Sequence, residues 1–336
     1  MSRPHCSVIV PAYNAERTIG ACVAALCAQQ FDQPHEIIVI DDGSTDGTAA
    51  AARAAGATVI TTPNGRPAAA RNAGIRAASG EIICCTDADC IPHPDWLRQI
   101  TFPLADSDIV ACKGSYATRQ TELVARFVQL EYEDKYDLLR TEKYIDFIDT
   151  YSAAYRRETL LECGGFDERF DYLEDQELSF RLAAKGYKMV FQPEAIVDHL
   201  HSATPGAYLR KKQIIGYWKA QVVRRFPKRA VKDSHTPQVM KVQMALSVLL
   251  VGLTLLGLAG AALFPAYRET SGWFSLLPTA IVALIFVATT LPFVRKAWPK
   301  DRAVAFVSPV LLLGRALALS AGYIHGILRP RRLGED

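Results

Sequence analysis

The chain has 336 residues, of which 50% are hydrophobic, and 38 Lys and Arg against 35 Asp and Glu give a net charge of +3. That length holds one large domain or two smaller ones. The near-neutral balance, with no long basic tract interleaved with aromatics, argues against a nucleic-acid binder. Charges are dense up to about Lys241 and thin out sharply after it. The eight cysteines (6, 22, 27, 84, 85, 90, 112 and 163) form no CxxC pair, and several sit in apolar runs. They read as small buried residues of a reduced domain, with a zinc site as the weaker alternative. Met1-Ser2-Arg3-Pro4-His5 leads straight into a strand without a signal peptide, so the N-terminal domain is expected to stay in the cytoplasm.

Residues 6–12 predict the first strand, and residues 15–30 a helix with Asn14 as candidate N-cap. Strand 36–40 runs into the turn-rich Asp41-Asp42-Gly43-Ser44-Thr45-Asp46-Gly47, followed by an Ala-rich helix near 47–55 and a short strand 57–61. Pro67 stands in the first turn of the next helix, which carries Arg71. Strand 81–86 ends at Asp87. This β-α-β-α alternation implies a parallel, doubly wound sheet. Pro11-Ala12-Tyr13-Asn14-Ala15-Glu16 follows the first strand where a dinucleotide fold would carry GxGxxG, so that fold is disfavoured. The pattern continues with a strand near 107–113, a helix over 119–140 and a strand around 150–155. A helix then runs from Glu174 to Lys185, closed by Gly186, with a strand at 187–191 after it.

Two apolar runs end in acids: Glu36-Ile37-Ile38-Val39-Ile40 before Asp41-Asp42, and Glu81-Ile82-Ile83-Cys84-Cys85-Thr86 before Asp87-Ala88-Asp89. Runs apolar on both faces read as strands of a parallel sheet. Acids where such strands end lie at the carboxyl edge, where open α/β sheets bind ligands. Carboxylates crowded there repel one another unless a cation or a ligand's donors lie between them. Asp87 and Asp89 therefore suggest a hard divalent metal completed by substrate phosphates; capping of the next helix is the plainer alternative. Asp41 and Asp46 read as turn formers.

The C-terminal part carries apolar runs at 242–264, 273–294 and 302–328, the last interrupted by Arg315 and His325. Each is long enough to cross a hydrocarbon core of about 30 Å. Lys228, Arg229, Lys232 and Lys241 precede the first run, and Arg295, Lys296, Lys300 and Arg302 follow the second. Only Arg268 and Glu269 lie between the two. The positive-inside rule places the N-terminal domain and the 295–302 loop in the cytoplasm, in an inner or plasma membrane. A third crossing is the preferred reading of 302–328. It leaves Arg329-Pro330-Arg331-Arg332 outside, against the rule; an interfacial or re-entrant segment keeps that tail inside. Residues 206–226 read as an amphipathic, interfacial helix. The expected domains are 1–205, a 206–240 linker helix and a 241–330 membrane region.

Five stretches in order resemble family-2 glycosyltransferases of the GT-A fold: Ser7-Val8-Ile9-Val10-Pro11-Ala12-Tyr13-Asn14, Asp41-Asp42-Gly43-Ser44-Thr45-Asp46-Gly47-Thr48, Ala70-Arg71-Asn72-Ala73-Gly74, Thr86-Asp87-Ala88-Asp89 and Glu174-Asp175-Gln176-Glu177-Leu178. They span roughly residues 5–200. The resemblance implies a GT-A catalytic domain, Rossmann-like with a mostly parallel sheet, followed by transmembrane helices. It implies that Pro11, Tyr13 and Glu16 line a nucleobase pocket and that Asp42 accepts from the base. Arg71 would approach the nucleotide, Asp87 the ribose, and Asp89 the metal, Mn2+ or Mg2+. Asp175 would be the general base, with Glu174 beside it. In some relatives a histidine near His199 or His201 completes the metal shell; ordinary loop histidines are the alternative. Gln221-Val222-Val223-Arg224-Arg225 is similar to the Gln-x-x-Arg-Trp motif of processive synthases, with Arg225 at the Trp position. Gln221 and Arg224 are thereby implied in substrate binding; a basic face on anionic lipid is the alternative.

The resulting expectation is an inverting, metal-dependent glycosyltransferase of the hexosyltransferase type. It would use a nucleoside-diphosphate sugar and a lipid-linked or membrane-proximal acceptor at the bilayer. A small processive synthase would show Trp at 225 and more crossings. A non-catalytic scaffold on the same fold would have lost Asp89 or Asp175.

Overall fold

The computed structural model describes residues 4–231, 233–263 and 272–331. Met1, Ser2, Arg3, Lys232, Phe264, Arg268, Glu269 and Arg332, all used above, lie outside those residues. The chain divides into two compact units. The first comprises residues up to Gln120, Glu131–His201 and Asp233–His235; the second comprises Thr121–Leu130, Ser202–Lys232 and Thr236–Asp336.

The first unit is built on an eight-stranded sheet. β1 (Cys6–Ala12), β2 (His35–Asp41), β3 (Thr58–Thr61) and β4 (Ile82–Cys85) form a parallel run in the order β3-β2-β1-β4. β1, β4 and most of β2 are buried on both faces, as their unbroken apolar runs require. Beyond β4 the order continues β7 (Ala153–Arg156), β6 (Ile109–Ala117), β8 (Lys188–His199), β5 (Cys90–Pro92). Here the sheet mixes directions, which leaves it mostly parallel, as expected. β7 runs antiparallel to β4 and β6, and β5 antiparallel to β8. The fold is GT-A, with a mostly parallel, curled sheet.

Helices α1 (Ile19–Cys27), α2 (Thr48–Ala54), α3 (Arg66–Ala77), α4 (Trp96–Thr101), α5 (Leu123–Leu139), α6 (Arg157–Glu162) and α7 (Glu174–Ala184) connect the strands. α1 starts later than the sequence predicts, and Asn14 does not cap it. Asn14 has φ +48°, and its Oδ1 accepts from the Thr45 amide at 2.9 Å, so it ties the β1 loop to the β2 loop. A second difference is the length of β8, expected to end at 191. The strand continues past Pro193 to His199, because a register shift between Lys113 and Ser115 of β6 lets Ser115 Oγ bond the Pro193 carbonyl at 2.7 Å.

The second unit holds α8 (Pro205–Arg225), α9 (Gln238–Leu263), α10 (Gly272–Ala297) and α11 (Arg302–Leu328). Among the described residues, three stretches are long and apolar enough to cross a membrane: Gln238–Gly260, Leu277–Ala297 and Arg302–Leu328.

Gly114 marks the tightest strand contact. A Cβ there would meet Ser152 Oγ and the Ala195 carbonyl. That hydroxyl already holds Trp96 Nε1 at 2.8 Å and donates to the same carbonyl at 3.0 Å. Gly114→Ala should therefore cost about 1–3 kcal/mol, the usual scale of overpacking. A thermal melt in detergent checks this; an unchanged midpoint contradicts the packing account.

Candidate active site

A cleft of about 410 Å³ opens at the carboxyl ends of β1, β2 and β4. Strand order reverses between β1 and β4, the position where open α/β sheets bind ligands. Its lining includes Pro11 at the end of β1 and Tyr13 just after it, Asp42 after β2, Pro67 and Arg71 of α3, and Asp87 and Asp89 after β4. Six residues expected at a nucleotide site, Pro11, Tyr13, Asp42, Arg71, Asp87 and Asp89, thus line one cleft. Tyr13 is half exposed, open to a flat ligand. Glu16 does not line the cleft; its Oε2 accepts from the Gly47 amide at 3.1 Å and holds the two loops together.

Asp42 is buried and heavily bonded. Oδ1 accepts from Thr62 Oγ1 at 3.0 Å and the Gly65 amide at 2.9 Å, and Oδ2 from the Arg66 amide at 2.8 Å. It thus fixes the turn into α3, including Arg66 at φ +76°. Arg71, one turn further along α3, is buried. Its Nη2 lies 2.9 Å from Asp87 Oδ1 and its Nη1 2.5 Å from Glu174 Oε1. Burial works against its charge, but Asp87 and Glu174 outweigh it and raise its pKa. The fork expected to approach the nucleotide is therefore already held by two protein carboxylates.

Below Arg71 lies the Phe166 ring, 5.7 Å from the guanidinium carbon. The neighbouring Asn72 clamps this segment through 2.9 Å bonds to the Phe166 amide and carbonyl. Gly165 is needed there: at φ +69° its Cβ would strike Asn72 Oδ1.

α7 begins from Leu173 at φ +62° and carries Glu174, Asp175 and Glu177 in its first turn, where carboxylates suit the helix dipole. Burial raises the pKa of Glu174 against the pull of Arg71. Asp175 is pushed up to about 7 by burial and by the charge of Glu174, while Arg71 and a 2.7 Å bond from the Gln176 amide work the other way. A carboxylate poised near neutrality can accept a proton from a hydroxyl and remain ionised enough to do so again.

A second cluster lies at the β5–β8 pair. Cys90 is in register with His199, which sets His199 Nδ1 3.4 Å from Asp89 Oδ1 and 3.6 Å from Cys90 Sγ. Donor atoms of these three residues lie within 4.8 Å of one another. Burial, followed by the charges of Asp87 and Asp89, keeps Cys90 a thiol. Asp89 and His199 offer a divalent cation one carboxylate oxygen and one imidazole nitrogen. His201 is outside this cluster. Its ring stacks on Tyr132 at 5.6 Å and its carbonyl accepts from Gln120 Nε2 at 3.1 Å.

Tyr116 stacks against His199 at 4.5 Å and also against Tyr151. Tyr151 accepts at 3.2 Å from Lys113, which is wholly buried and paired with Asp149. Burial, then Lys135, lowers the Lys113 pKa; Asp175 opposes that. Neither Lys113 nor Tyr116 stood out in sequence. The signal was present: Lys113 is the lone charge of β6, directly after the apolar run Ile109-Val110-Ala111-Cys112.

Gln221 and Arg224 are in the second unit. Gln221 is buried and gives its Nε2 to the Gly326 carbonyl at 2.9 Å, so its amide serves helix packing; Arg224 is exposed.

The profile of glycosyl transferase family 2 matches residues 7–165. Over those residues, just under half of the chain, it matches the glycosyltransferase family that its motifs resemble. It is 28% identical to glycosyltransferase AglE of Haloferax volcanii over 233 residues, covering 65% of this chain and 74% of that protein. It is 24% identical to the pre-mycofactocin glycosyltransferase of Mycobacterium tuberculosis, covering 98% of this chain and 73% of that protein. The solved structure of mannosyltransferase PcManGT from Pyrobaculum calidifontis, in complex with GDP-Man and Mn2+, superposes with a TM-score of 0.60 at 22% identity, covering 97% of this chain and 88% of that one. That last likeness concerns the fold.

Removing the central cation tests the site's electrostatics. Arg71→Ala would leave Glu174 buried without its partner and should cost about 3–5 kcal/mol. Glu174→Gln on that background should restore part of the loss. Equal melting of Arg71→Ala and the parent protein contradicts the assignment.

Proposed function

We propose that this glycosyltransferase moves a sugar, with inversion, from a nucleoside-diphosphate donor to a lipid-linked or membrane-proximal acceptor at the cytoplasmic face of a membrane. The observation that carries the reading is the Arg71 guanidinium joining Asp87, on the cleft wall, to Glu174, beside the near-neutral Asp175. It couples a donor-sized cleft to a base-competent carboxylate. Displacement with inversion needs a base facing the acceptor hydroxyl, opposite the departing diphosphate.

In this reading Tyr13 and Pro11 flank the nucleobase, Asp42 holds the cleft wall, and Asp87 orients the ribose. Asp175 takes the acceptor proton, and Glu174 and Arg71 position it. Asp89 and His199 would hold a divalent cation. When bound, that cation supplies positive charge to offset the charge that builds on the departing diphosphate. The membrane-length helices support an acceptor at the bilayer surface.

Asp175→Asn should spare donor binding and lower turnover by about 10²–10⁴, the usual contribution of a positioned base. Normal turnover in that variant removes Asp175 from the role. The pH profile follows from its pKa of about 7. The working form is the carboxylate, so turnover should fall about tenfold per pH unit well below 7 and level off above it. A profile flat down to pH 5 would show that this ionisation does not limit the reaction. Calorimetric titration with nucleoside diphosphates, with and without Mn2+, tests the metal residues. Asp89→Ala should abolish the part of the affinity that depends on Mn2+; undiminished metal dependence refutes that role.

A further inference from the structure

Chain order constrains α11. α8 precedes the first membrane-length helix, α9, and carries Arg210, Lys211, Lys212, Lys219, Arg224 and Arg225. A helix with that many cations does not cross a bilayer, so α8 lies on the side of the membrane where the chain starts.

α11 lies along α8 backbone to backbone. A Cβ on Gly216 of α8 would meet the Leu319 carbonyl, and one on Gly322 of α11 the Gln213 carbonyl. A Cβ on Gly326 would sit 2.5 Å from the Tyr217 carbonyl. Leu209 packs on Gly314. Together these contacts set the two helices parallel, with α8 beside the whole second half of α11. The end of α11 is tied to α8 as well. The Arg329 carbonyl accepts from Tyr217 Oη at 3.2 Å, and Arg331 lies 5.3 Å from the Trp218 ring centre.

If α11 crossed the membrane, Arg329 and Arg331 would emerge on the far face while their partners Tyr217 and Trp218 remained on the near one. We infer that α11 does not cross: α8 and α11 form a paired platform lying in the membrane interface, and the chain crosses only at α9 and α10. The platform's partner is the surface of an anionic bilayer. α11 presents an apolar stripe through Phe306, Val310, Leu317, Ile324 and Leu328, all exposed, for the acyl boundary. The exposed Arg210, Lys211, Arg224 and Arg225 of α8 supply charge for anionic headgroups. Arg315, whose Nη2 bonds Gln243 Oε1 at 2.6 Å, then lies near the interface instead of at the bilayer centre. The inference rests on the membrane anchoring proposed above.

The test uses the full chain in membranes. Cys27 is the one exposed cysteine among the eight, so Cys27→Ser provides a quiet background. Single cysteines are then added as Asp336→Cys in the tail, Trp298→Cys between α10 and α11, and Glu269→Cys between α9 and α10. A membrane-impermeant maleimide is applied to right-side-out and inverted vesicles. The tail cysteine should label in the same vesicles as Trp298→Cys and in the opposite ones from Glu269→Cys. Labelling of the tail together with Glu269→Cys overturns the inference. Release of the protein by an alkaline wash overturns the anchoring itself, and the platform with it. A fluorophore on Leu317→Cys gives an independent reading. Lipids brominated near the headgroup should quench it more than lipids brominated near the chain ends; the reverse order means a crossing helix.

Discussion

The site depends on one buried guanidinium with a carboxylate on each side. Arg71 reaches Asp87 in the loop after β4 and Glu174 at the start of α7, 103 residues away in sequence. Glu174 would not tolerate its burial alone, and neither would the cation; Asp87, partly open to the cleft, adds the second carboxylate. The triad is thus a constraint on geometry more than a source of stability. It sets where α7 begins relative to the cleft. It also sets the electrostatics of Asp175, whose proton affinity rises through burial and the neighbouring Glu174 while Arg71 limits the rise.

The supporting structure around this triad is made by loops that bond one another. Asn14 and Glu16 after β1 hold the Thr45 and Gly47 amides after β2. Asp42 holds the amides that open α3. These polar residues serve the cleft by shaping its walls, so Glu16 can belong to a family motif without facing the cleft. On the other side, the continuation of β8 through its register shift delivers His199 to Asp89. Tyr116, between the rings of Tyr151 and His199, fixes the plane of that imidazole, and the Lys113–Asp149 pair anchors Tyr151 beneath it.

The second unit shows how far hydropathy can be trusted. Length and apolarity qualify α11 as readily as α9 and α10. Glycines at 314, 322 and 326 would also suit a helix–helix contact inside a membrane. The partner that fills that face is α8, however, and it is too cationic to enter the hydrocarbon. Which helix packs on which face decides the reading, and a hydropathy profile carries no such information.

Sequence by itself determined the parts governed by local periodicity and by motif. The β-α order, the acids at the ends of β2 and β4, Pro67 opening α3, Gly186 closing α7 and the three membrane-length runs were all legible, because each depends on residues within a few positions of one another. The family motifs named the cleft residues Pro11, Tyr13, Asp42, Arg71, Asp87 and Asp89. What tertiary structure decided was pairing over distance. The reversal of β7 and β5, the extension of β8, the grouping of Asp89 with His199 but not His201, the burial of Lys113 and the use of Gln221 in helix packing all depend on partners far away along the chain. No local pattern encodes those partners, since burial and hydrogen-bond geometry arise only when separate segments meet.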